Sequence, residues 1–384
     1  MKSIPLFKVY MHEEAHKKVE EVLRSGFIGQ GPRVEEFEAR LKERFGIDYL
    51  VTTNSATSAE HLALHLLKKA NKDTGWPGID KHGYEEVLAT PLTCTASNWP
   101  ILANNMLIKW VDVDPETLNM DLDDLARKIT DNTKAIMLVH WGGYPNDLDK
   151  IKSIQERSKE IFGFKPAVIE DAAHAMGSKY KGKYIGRHGN LTTYSFQAIK
   201  HFTTGDGGML ILPHMELYKR AKLLRWYGID RDSDRKDFRC EADVVEWGFK
   251  FHMNDISAAI GLANFDAIDV LTALHRSNAY YYDEALKGIS GLKTLKREQG
   301  FDSSFWIYSL LVEDRENFTK AMKDRGVAVS QVHERNDKHT CVKEFRSHLP
   351  NLEKVIGKLT HIPVGWWVTE EDRQHIVDSI RKGW

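Results

Sequence analysis

Short apolar runs alternate with longer amphipathic segments along most of this 384-residue chain. The runs have the length of strands, and the segments repeat apolar residues at the spacing of a helix. Examples are 50–51 before 57–70, 87–89 before 94–104, and 135–139 before 148–161. This alternation is typical of a mostly parallel sheet with helices on both faces. Polar side chains that follow the strands should therefore meet at the carboxyl edge of the sheet.

The pattern changes after a very polar stretch that begins at residue 230. Residues 255–286 show helical spacing throughout. The remainder predicts strands at 305–312 and 327–332 and helices at 317–325 and 369–381. We therefore expect a large α/β domain, an α/β/α sandwich, over residues 1–250 and a smaller C-terminal α+β domain over residues 251–384.

Charge and cysteine content argue against several classes of partner. The 54 Lys and Arg residues balance the 55 Asp and Glu residues, so we expect neither nucleic acid nor a membrane surface as a partner. The three cysteines are too scattered for a disulfide framework, which favours a reducing compartment. The longest apolar runs fall far short of the ~20 residues that span a bilayer, and early charges leave no room for a signal peptide. A cytoplasmic location is expected.

Three polar segments follow predicted strands. Ala56, Thr57 and Ser58 open a helix and offer backbone N–H groups and hydroxyls to an anion, although a plain N-cap also explains them. Asp171 ends a buried strand, where a carboxylate can pair with a positive ring nitrogen or cap the next helix. Lys200 lies in a short loop after a strand, where a shielded lysine can form a Schiff base. Together, in this order, they provide what a pyridoxal phosphate enzyme requires.

The chain resembles the DegT/StrS-type nucleotide-sugar aminotransferases, which are fold-type I pyridoxal phosphate enzymes. The motifs that carry this resemblance are spread over nearly the whole chain and include RSGFIGQGP at 24–32, VHWGGYPND at 139–147, EDAAH at 170–174, and the blocks 195–208 and 248–261. The resemblance implies the fold-type I aminotransferase architecture, with a large cofactor-binding domain and a small C-terminal domain.

The resemblance also implies roles for single residues. Lys200 would bind the cofactor aldehyde covalently, and Asp171 would pair with the pyridine nitrogen. His174, where the family often has glutamine, would lie near the phenolic oxygen of the cofactor. Ser195 and the 56–58 turn would hold the phosphate. Lys200 and Asp171 would therefore be the catalytic pair.

An assembly and a reaction follow from the same resemblance. The family implies a homodimer with shared active sites, in which Lys250 of one subunit would reach the phosphate held by the other. The reaction would transfer an amino group, with glutamate as the donor, to a keto sugar linked to a nucleotide, and pyridoxamine 5'-phosphate would be the intermediate form of the cofactor. A 4-keto-6-deoxyhexose is the expected sugar on family frequency, whereas the nucleotide and the aminated carbon, C3 or C4, stay open.

Two cofactor-binding positions depart from the family pattern. Cys94 stands where an aromatic side chain usually lies over the pyridine ring, which can alter cofactor affinity or absorbance. Ala56 stands where glycine is usual in the phosphate cradle, and its Cβ narrows the approach of a phosphate without preventing it.

Three other functions compete with this interpretation. A pyridoxamine phosphate-dependent sugar dehydratase of the same family has histidine at the lysine position, and His201 directly follows Lys200. A non-catalytic ligand-binding α/β protein is the alternative outside enzymes. A dinucleotide dehydrogenase would require G-x-G-x-x-G after the first strand, and the glycines at 26, 29 and 31 lack that spacing.

No metal site is expected. Acidic residues within 230–241 match several positions of a calcium loop, but Arg235 stands where the sharp turn requires glycine. His333, His339 and Cys341 could suggest zinc, but they lack a paired ligand spacing. The loop that carries them is expected to face the substrate.

Overall fold

The computed structural model describes residues 3–70, 76–79, 84–233 and 243–384. Its helices are α1 (Ala15–Ser25), α2 (Pro32–Phe45), α3 (Ala56–Leu66), α4 (Thr95–Ala103), α5 (Leu122–Lys128), α6 (Leu148–Phe162), α7 (Met215–Leu224), α8 (Asp255–Asn264), α9 (Ile268–Ala285), α10 (Arg315–Asp324), α11 (Pro350–Ile356) and α12 (Glu370–Arg381). Its strands are β1 (Leu50–Thr53), β2 (Glu86–Ala89), β3 (Leu107–Trp110), β4 (Thr133–Val139), β5 (Ala167–Asp171), β6 (Lys179–Tyr180), β7 (Lys183–Tyr184), β8 (Leu191–Ser195), β9 (Gly208–Ile211), β10 (Leu292–Thr294), β11 (Phe301–Asp302), β12 (Tyr308–Val312) and β13 (Leu359–Ile362).

Seven strands form the main sheet in the order β1-β9-β8-β5-β4-β2-β3. The strands from β8 to β3 pair in parallel, whereas β9 is antiparallel to both of its neighbours, β1 and β8. β1 therefore runs in the same direction as the parallel strands. All the strands of this sheet except β9 end at one edge, so the predicted mostly parallel α/β sheet is confirmed.

A distant carboxylate fixes the start of α2. Asp255, the first residue of α8, accepts hydrogen bonds from the backbone N–H groups of Gly31, Arg33 and Val34. A carboxylate at this place satisfies donors that have no partner within the helix and complements the helix dipole. The approach is close, because a Cβ at position 31 would lie 2.8 Å from Asp255 Oδ2. α8 therefore packs closely against α1 and α2.

The helical stretch Asp255–Ala285 is the one among the described residues that is long and apolar enough to cross a membrane, with a mean hydropathy of 1.4 in its most apolar window. It comprises α8, a short turn of 3₁₀ helix and α9. In its most apolar window 56% is buried inside the fold, and α8 packs against α1 and α2. Packing in the protein interior thus explains its apolar character.

Two small sheets, β10-β12-β13 and β11-β6-β7, complete the described fold. The segment 327–332, expected as a strand, forms only single bridges, from Val327 to Ile4 and from Ser330 to His361. Ile4 belongs to the apolar cluster around α9, β12, α10 and α12. Residues before and after position 250 therefore pack in one apolar cluster, and the division into two domains at that residue stays a prediction.

Candidate active site

Asp171 is held in a fixed orientation at the end of β5. Its side chain is buried, with the residue 4% exposed. Ser97 Oγ donates a hydrogen bond of 2.6 Å to Oδ2, and the backbone N–H of Ala173 donates one of 2.9 Å to Oδ1. No helix begins at Asp171, since residues 172–174 form a turn. The carboxylate is therefore not a helix cap, and its two donors aim it along the carboxyl edge of the sheet.

Lys200 lies in the loop between β8 and β9, close to this carboxylate. Burial lowers the pKa of Lys200 to about 8, although the nearby Asp171 carboxylate, with smaller effects from Cys94 and Glu60, opposes the change. Its Nζ lies 3.5 Å from the centroid of the Trp306 ring. With such a pKa, roughly one-tenth of the amine is neutral at pH 7. The structure thus brings together Lys200, Asp171 and Cys94, three of the predicted site residues.

The side chain of His201, the residue after Lys200, contacts Ser304 and His275. Its Nε2 lies 2.9 Å from the carbonyl oxygen of Ser304, and its ring lies 4.5 Å from the ring of His275. The ring is buried, at 2% exposure. Lys200 rather than His201 therefore lies beside Asp171, which disfavours the register required by the dehydratase alternative.

A stack of aromatic rings lies beside Lys200. The ring of His174 lies 4.0 Å from that of Trp306 at an angle of 23°, and His333 lies nearly parallel to His174 at 5.6 Å. Burial, and then the positive charge of Lys200, lower the pKa of His174 well below its usual value and that of His333 to about 3. Both imidazoles are therefore neutral, and the place of His174 beside the phenolic oxygen of the cofactor stays a prediction.

His333 belongs to the 332–341 loop that was expected to face the substrate. The N–H of Asn336 donates a hydrogen bond of 2.8 Å to the carbonyl of Pro91, so the loop crosses the segment that precedes Cys94. His339 lies instead near Trp99, with its ring at 5.9 Å. Among the described residues, no group of three or more His, Cys, Asp or Glu side chains is arranged to hold a metal. Part of the calcium-like motif, including Arg235, lies outside the described residues.

The start of α3 offers free donors to an anion. Ser55 is the N-cap, and its Oγ accepts a hydrogen bond of 3.1 Å from the N–H of Ser58. The N–H groups of Ala56 and Thr57 have no acceptor within the helix. Donors of this kind, together with the positive end of the helix dipole, suit a phosphate.

Gly208 joins this helix start to Ser195. In the main sheet Gly208 pairs with Thr53 on one side and with Ser195 on the other. A Cβ at position 208 would lie 2.5 Å from the backbone nitrogen of Ala56, so only glycine permits this approach. Ser195 ends β8 and α3 follows β1, and these two strands are separated only by β9.

The backbone of Lys250 lies against the same helix start. Asn54 Nδ2 donates a hydrogen bond of 3.2 Å to the carbonyl of Lys250, and the N–H of Asn54 donates one of 2.7 Å to that of Phe251. The side chain of Lys250 is exposed and forms no ion pair within the described part of the chain. Its predicted contact with the phosphate of a second subunit stays a prediction.

Sequence reasoning missed three residues of this site: Glu60, Ser97 and Trp306. Glu60 is the only acidic residue of α3, and it is 1% exposed. An acid at helical spacing from the apolar residues Ala56, Ala63 and Leu64 was a signal that could have been used. Ser97 and Trp306 carry no local signal, because they reach the site through the packing of α4 and of the segment before β12.

These residues fit pyridoxal phosphate. The anion site at α3, the buried carboxylate of Asp171 and the partly neutral amine of Lys200 correspond to the phosphate, the ring nitrogen and the aldehyde of that cofactor. The close approach at Gly208 supports the fit, because a side chain there would displace the helix start.

Comparisons with known proteins give the family. The model of the DegT/DnrJ/EryC1/StrS aminotransferase family matches residues 9–381. The chain is similar to the solved structure of AtS13 from Actinomadura melliaura, with 49% identity, full coverage of both chains and a TM-score of 0.94. It is also similar to the sugar aminotransferase CalS13 from Micromonospora echinospora, with 46% identity, 99% of this chain and 100% of that chain covered, and a TM-score of 0.94.

A third relative is the GDP-perosamine synthase of Escherichia coli O157:H7, 33% identical over 329 residues, which are 85% of this chain and 83% of that protein. These matches confirm the fold-type I architecture and the resemblance carried by the sequence motifs. The chain belongs to the DegT/DnrJ/EryC1/StrS aminotransferase family.

Proposed function

We propose that this protein uses pyridoxal phosphate to transfer an amino group from glutamate to a nucleotide-linked keto sugar. The observation that carries the proposal is the placement of Lys200, rather than His201, beside the Asp171 carboxylate. The relatives support it through what their names say of them: CalS13 is described as a sugar aminotransferase and the Escherichia coli protein as a GDP-perosamine synthase.

Lys200 is the group that moves a proton in this proposal. When bound, pyridoxal phosphate supplies an aldehyde that binds amines and a ring that accepts electrons. A lysine with a pKa of about 8 can both accept and donate a proton near neutral pH, as a general base and acid must. The Trp306 ring packs against Nζ, and the neutral ring of His174 stacks on Trp306.

Asp171 and the α3 donors would hold the cofactor at its two ends. A carboxylate fixed by Ser97 and Ala173 can keep a ring nitrogen protonated, because an opposite charge favours the charged form of its partner. The N–H groups at the start of α3 and the Ser195 hydroxyl would bind the phosphate. Cys94 borders this space without an aromatic face.

We propose a homodimer in the cytoplasm, with Lys250 contributing to the phosphate site of its partner. Large apolar side chains are exposed in two segments, with Phe27 at 81% and Val245 at 87%. Exposed apolar patches mark interaction surfaces. The first of these segments is tied to the rest of the fold by a hydrogen bond of 3.0 Å from Arg231 Nη2 to the carbonyl of Gln30. Association of two copies would cover these side chains.

The sugar proposed is a 4-keto-6-deoxyhexose carried on a nucleoside diphosphate. The experiment is to incubate the purified protein, pyridoxal phosphate and glutamate with a panel of keto sugar nucleotides that differ in nucleotide and in C3 or C4 ketone, with mass detection of the amine product. Lys200→Ala is the matched control. Amination that requires Lys200 supports the proposal. A dehydrated sugar as the product would favour the dehydratase alternative, and cofactor binding without turnover of any sugar would favour a binding protein.

A further inference from the structure

Glu60 is a buried acid that faces the Asp171 carboxylate from α3. It lies one helical turn after Ala56 and therefore on the same face of the helix as the start of the phosphate cradle. α3 packs on β9 and β8 and also contacts β5, the strand that ends in Asp171. Glu60 lies within interaction distance of Asp171 and of Thr193, which is the partner of Asp171 in the β5–β8 register. No step of the proposed reaction uses it.

Two ionised carboxylates side by side in this buried place would be costly in free energy. Glu60 Oε2 is fully buried and receives no hydrogen bond from the described residues. An ionised oxygen without a donor in such surroundings carries a large desolvation cost, and the Asp171 charge beside it adds repulsion. A proton on Glu60 removes both costs, because the neutral acid becomes a hydrogen-bond donor to Asp171.

The charged groups around Glu60 also favour a proton on its carboxyl group. The titratable groups that face it are Asp171 at the end of β5, Cys94 before α4 and Lys200 in the loop after β8. Burial, and then the negative charge of Asp171, raise the pKa of Glu60 well above its usual value. Lys200, the one cation of the group, lies near both carboxyl groups.

We propose that Glu60 is a positioning residue, a neutral acid that donates a hydrogen bond to Asp171 so that the pair presents a single negative charge to the ring nitrogen of the cofactor. This inference rests on the proposed function. Asp171 then has three donors, Ser97, the N–H of Ala173 and Glu60, which fix the carboxylate and spread its charge. Charge-assisted hydrogen bonds of this kind are short and strong.

The first test measures the proton on Glu60 directly. The infrared difference spectrum between the apo-protein and its Glu60→Gln variant at pH 7 should contain the carbonyl stretch of a protonated carboxylic acid, and the band should shift in heavy water. Glu38 is the matched control. It is also buried, but the charge and hydrogen bond of Arg225 bring its pKa below the usual value despite burial, so Glu38→Gln should remove only carboxylate bands. Absence of the acid band in the Glu60 difference spectrum overturns the inference.

The second test uses rescue by the conservative variant. Glutamine keeps a neutral donor, so Glu60→Gln should keep kcat within about threefold of wild type, whereas Glu60→Leu should lose at least about tenfold in kcat with the KM for glutamate little changed. Equal losses in the two variants, or full activity of Glu60→Leu, overturn the inference. Thermal melts establish whether Glu60→Leu is folded, and the infrared result stands without it.

The outcomes separate this inference from the proposed function. A coloured, active holoenzyme whose apo-protein lacks the acid band retains the function and loses the role of Glu60. A protein that binds no pyridoxal phosphate loses the proposed function, whatever the infrared spectrum shows.

Discussion

Ser97 Oγ lies 2.6 Å from Asp171 Oδ2, a hydrogen bond that links α4 to the last residue of β5. Ser97 Oγ in turn lies 2.9 Å from Thr93 Oγ1. The orientation of the Asp171 carboxylate thus depends on a chain of hydroxyls that begins just before Cys94. Activity should therefore respond to Asp171 itself and, more weakly, to its supports.

Asp171→Asn should lower kcat by at least about a hundredfold while the protein stays folded. The amide keeps the shape of the side chain but lacks the negative charge that keeps a ring nitrogen protonated. Steady-state kinetics measure the loss, and circular dichroism checks the fold. A change of less than about tenfold, which is roughly 1.4 kcal/mol of barrier, would show that Asp171 is not the partner of the ring.

Covalent capture of pyridoxal phosphate by the apo-protein should depend on pH through Lys200. Only the neutral amine attacks an aldehyde, and the pKa of Lys200 is about 8. The capture rate should rise about tenfold per pH unit below about pH 8 and level off above it. Stopped-flow absorbance measures the rate.

Lys200→Ala should show no capture and no transamination, but it should still bind pyridoxamine phosphate. Wild-type turnover in that variant would refute the assignment of Lys200.

Lys200→Ala and Lys250→Ala should complement each other in mixed dimers. If Lys250 reaches the phosphate of the partner, one site of a mixed dimer contains neither substitution, and the other contains both. Co-expression, followed by isolation of mixed dimers and an amination assay, checks the gain in activity. Lys250→Ala alone must be strongly impaired, as loss of a charge-assisted phosphate contact predicts. Mixed dimers confirmed by mass that gain no activity would assign Lys250 to its own subunit or to solvent.

Replacement of Glu60 should change how stability depends on pH. The pKa of Glu60 is higher in the folded than in the unfolded protein. The stability contributed by its protonated form is therefore complete below the unfolded value, near 4.5, and is lost as the pH rises through the folded value. Glu60→Gln lacks this titration, so its Tm minus that of wild type should increase with pH above about 4.5.

Glu38→Gln gives the opposite trend and serves as the comparison. The pKa of Glu38 is lowered in the folded protein, so its contribution to the free energy of unfolding is present above the unfolded value and is lost as the pH falls through the folded value. The Tm of Glu38→Gln minus that of wild type should therefore decrease as the pH rises through this lower window. Parallel pH profiles for the two variants would contradict both assignments.

Local patterns in the sequence predicted most of the elements of the main sheet and its helices. Apolar periodicity located α6 and β4 because both lie in long, regular segments. It missed β6, β7 and β11, which are only two residues long and give no periodic signal. The bridge from Ile4 to Val327 was also missed, since its two partners lie far apart in the sequence.

The residues of the candidate site also fall into two groups, those that the sequence could predict and those that it could not. Asp171 and Lys200 follow strands and could be recognised by position and motif. Trp306 reaches Lys200 only because the segment before β12 folds back onto the sheet, and no local pattern encodes that contact. Glu60 lies at helical spacing from the phosphate cradle, but its contact with Asp171 depends on how α3 crosses β5 and β8.

Because β9 runs antiparallel to both of its neighbours, it joins the loop that carries Lys200 to the phosphate cradle at the start of α3. The loop from Ser195 to Gly208 leaves the sheet at the end of β8 and returns through the strand that lies between β8 and β1. Gly208 closes it against the backbone of Ala56, with no room for even a methyl group. The supports of the amine and of the anion site, β8 and the start of α3, are therefore joined through β9. A cofactor that binds both groups would bridge two parts of the chain that already pack against each other.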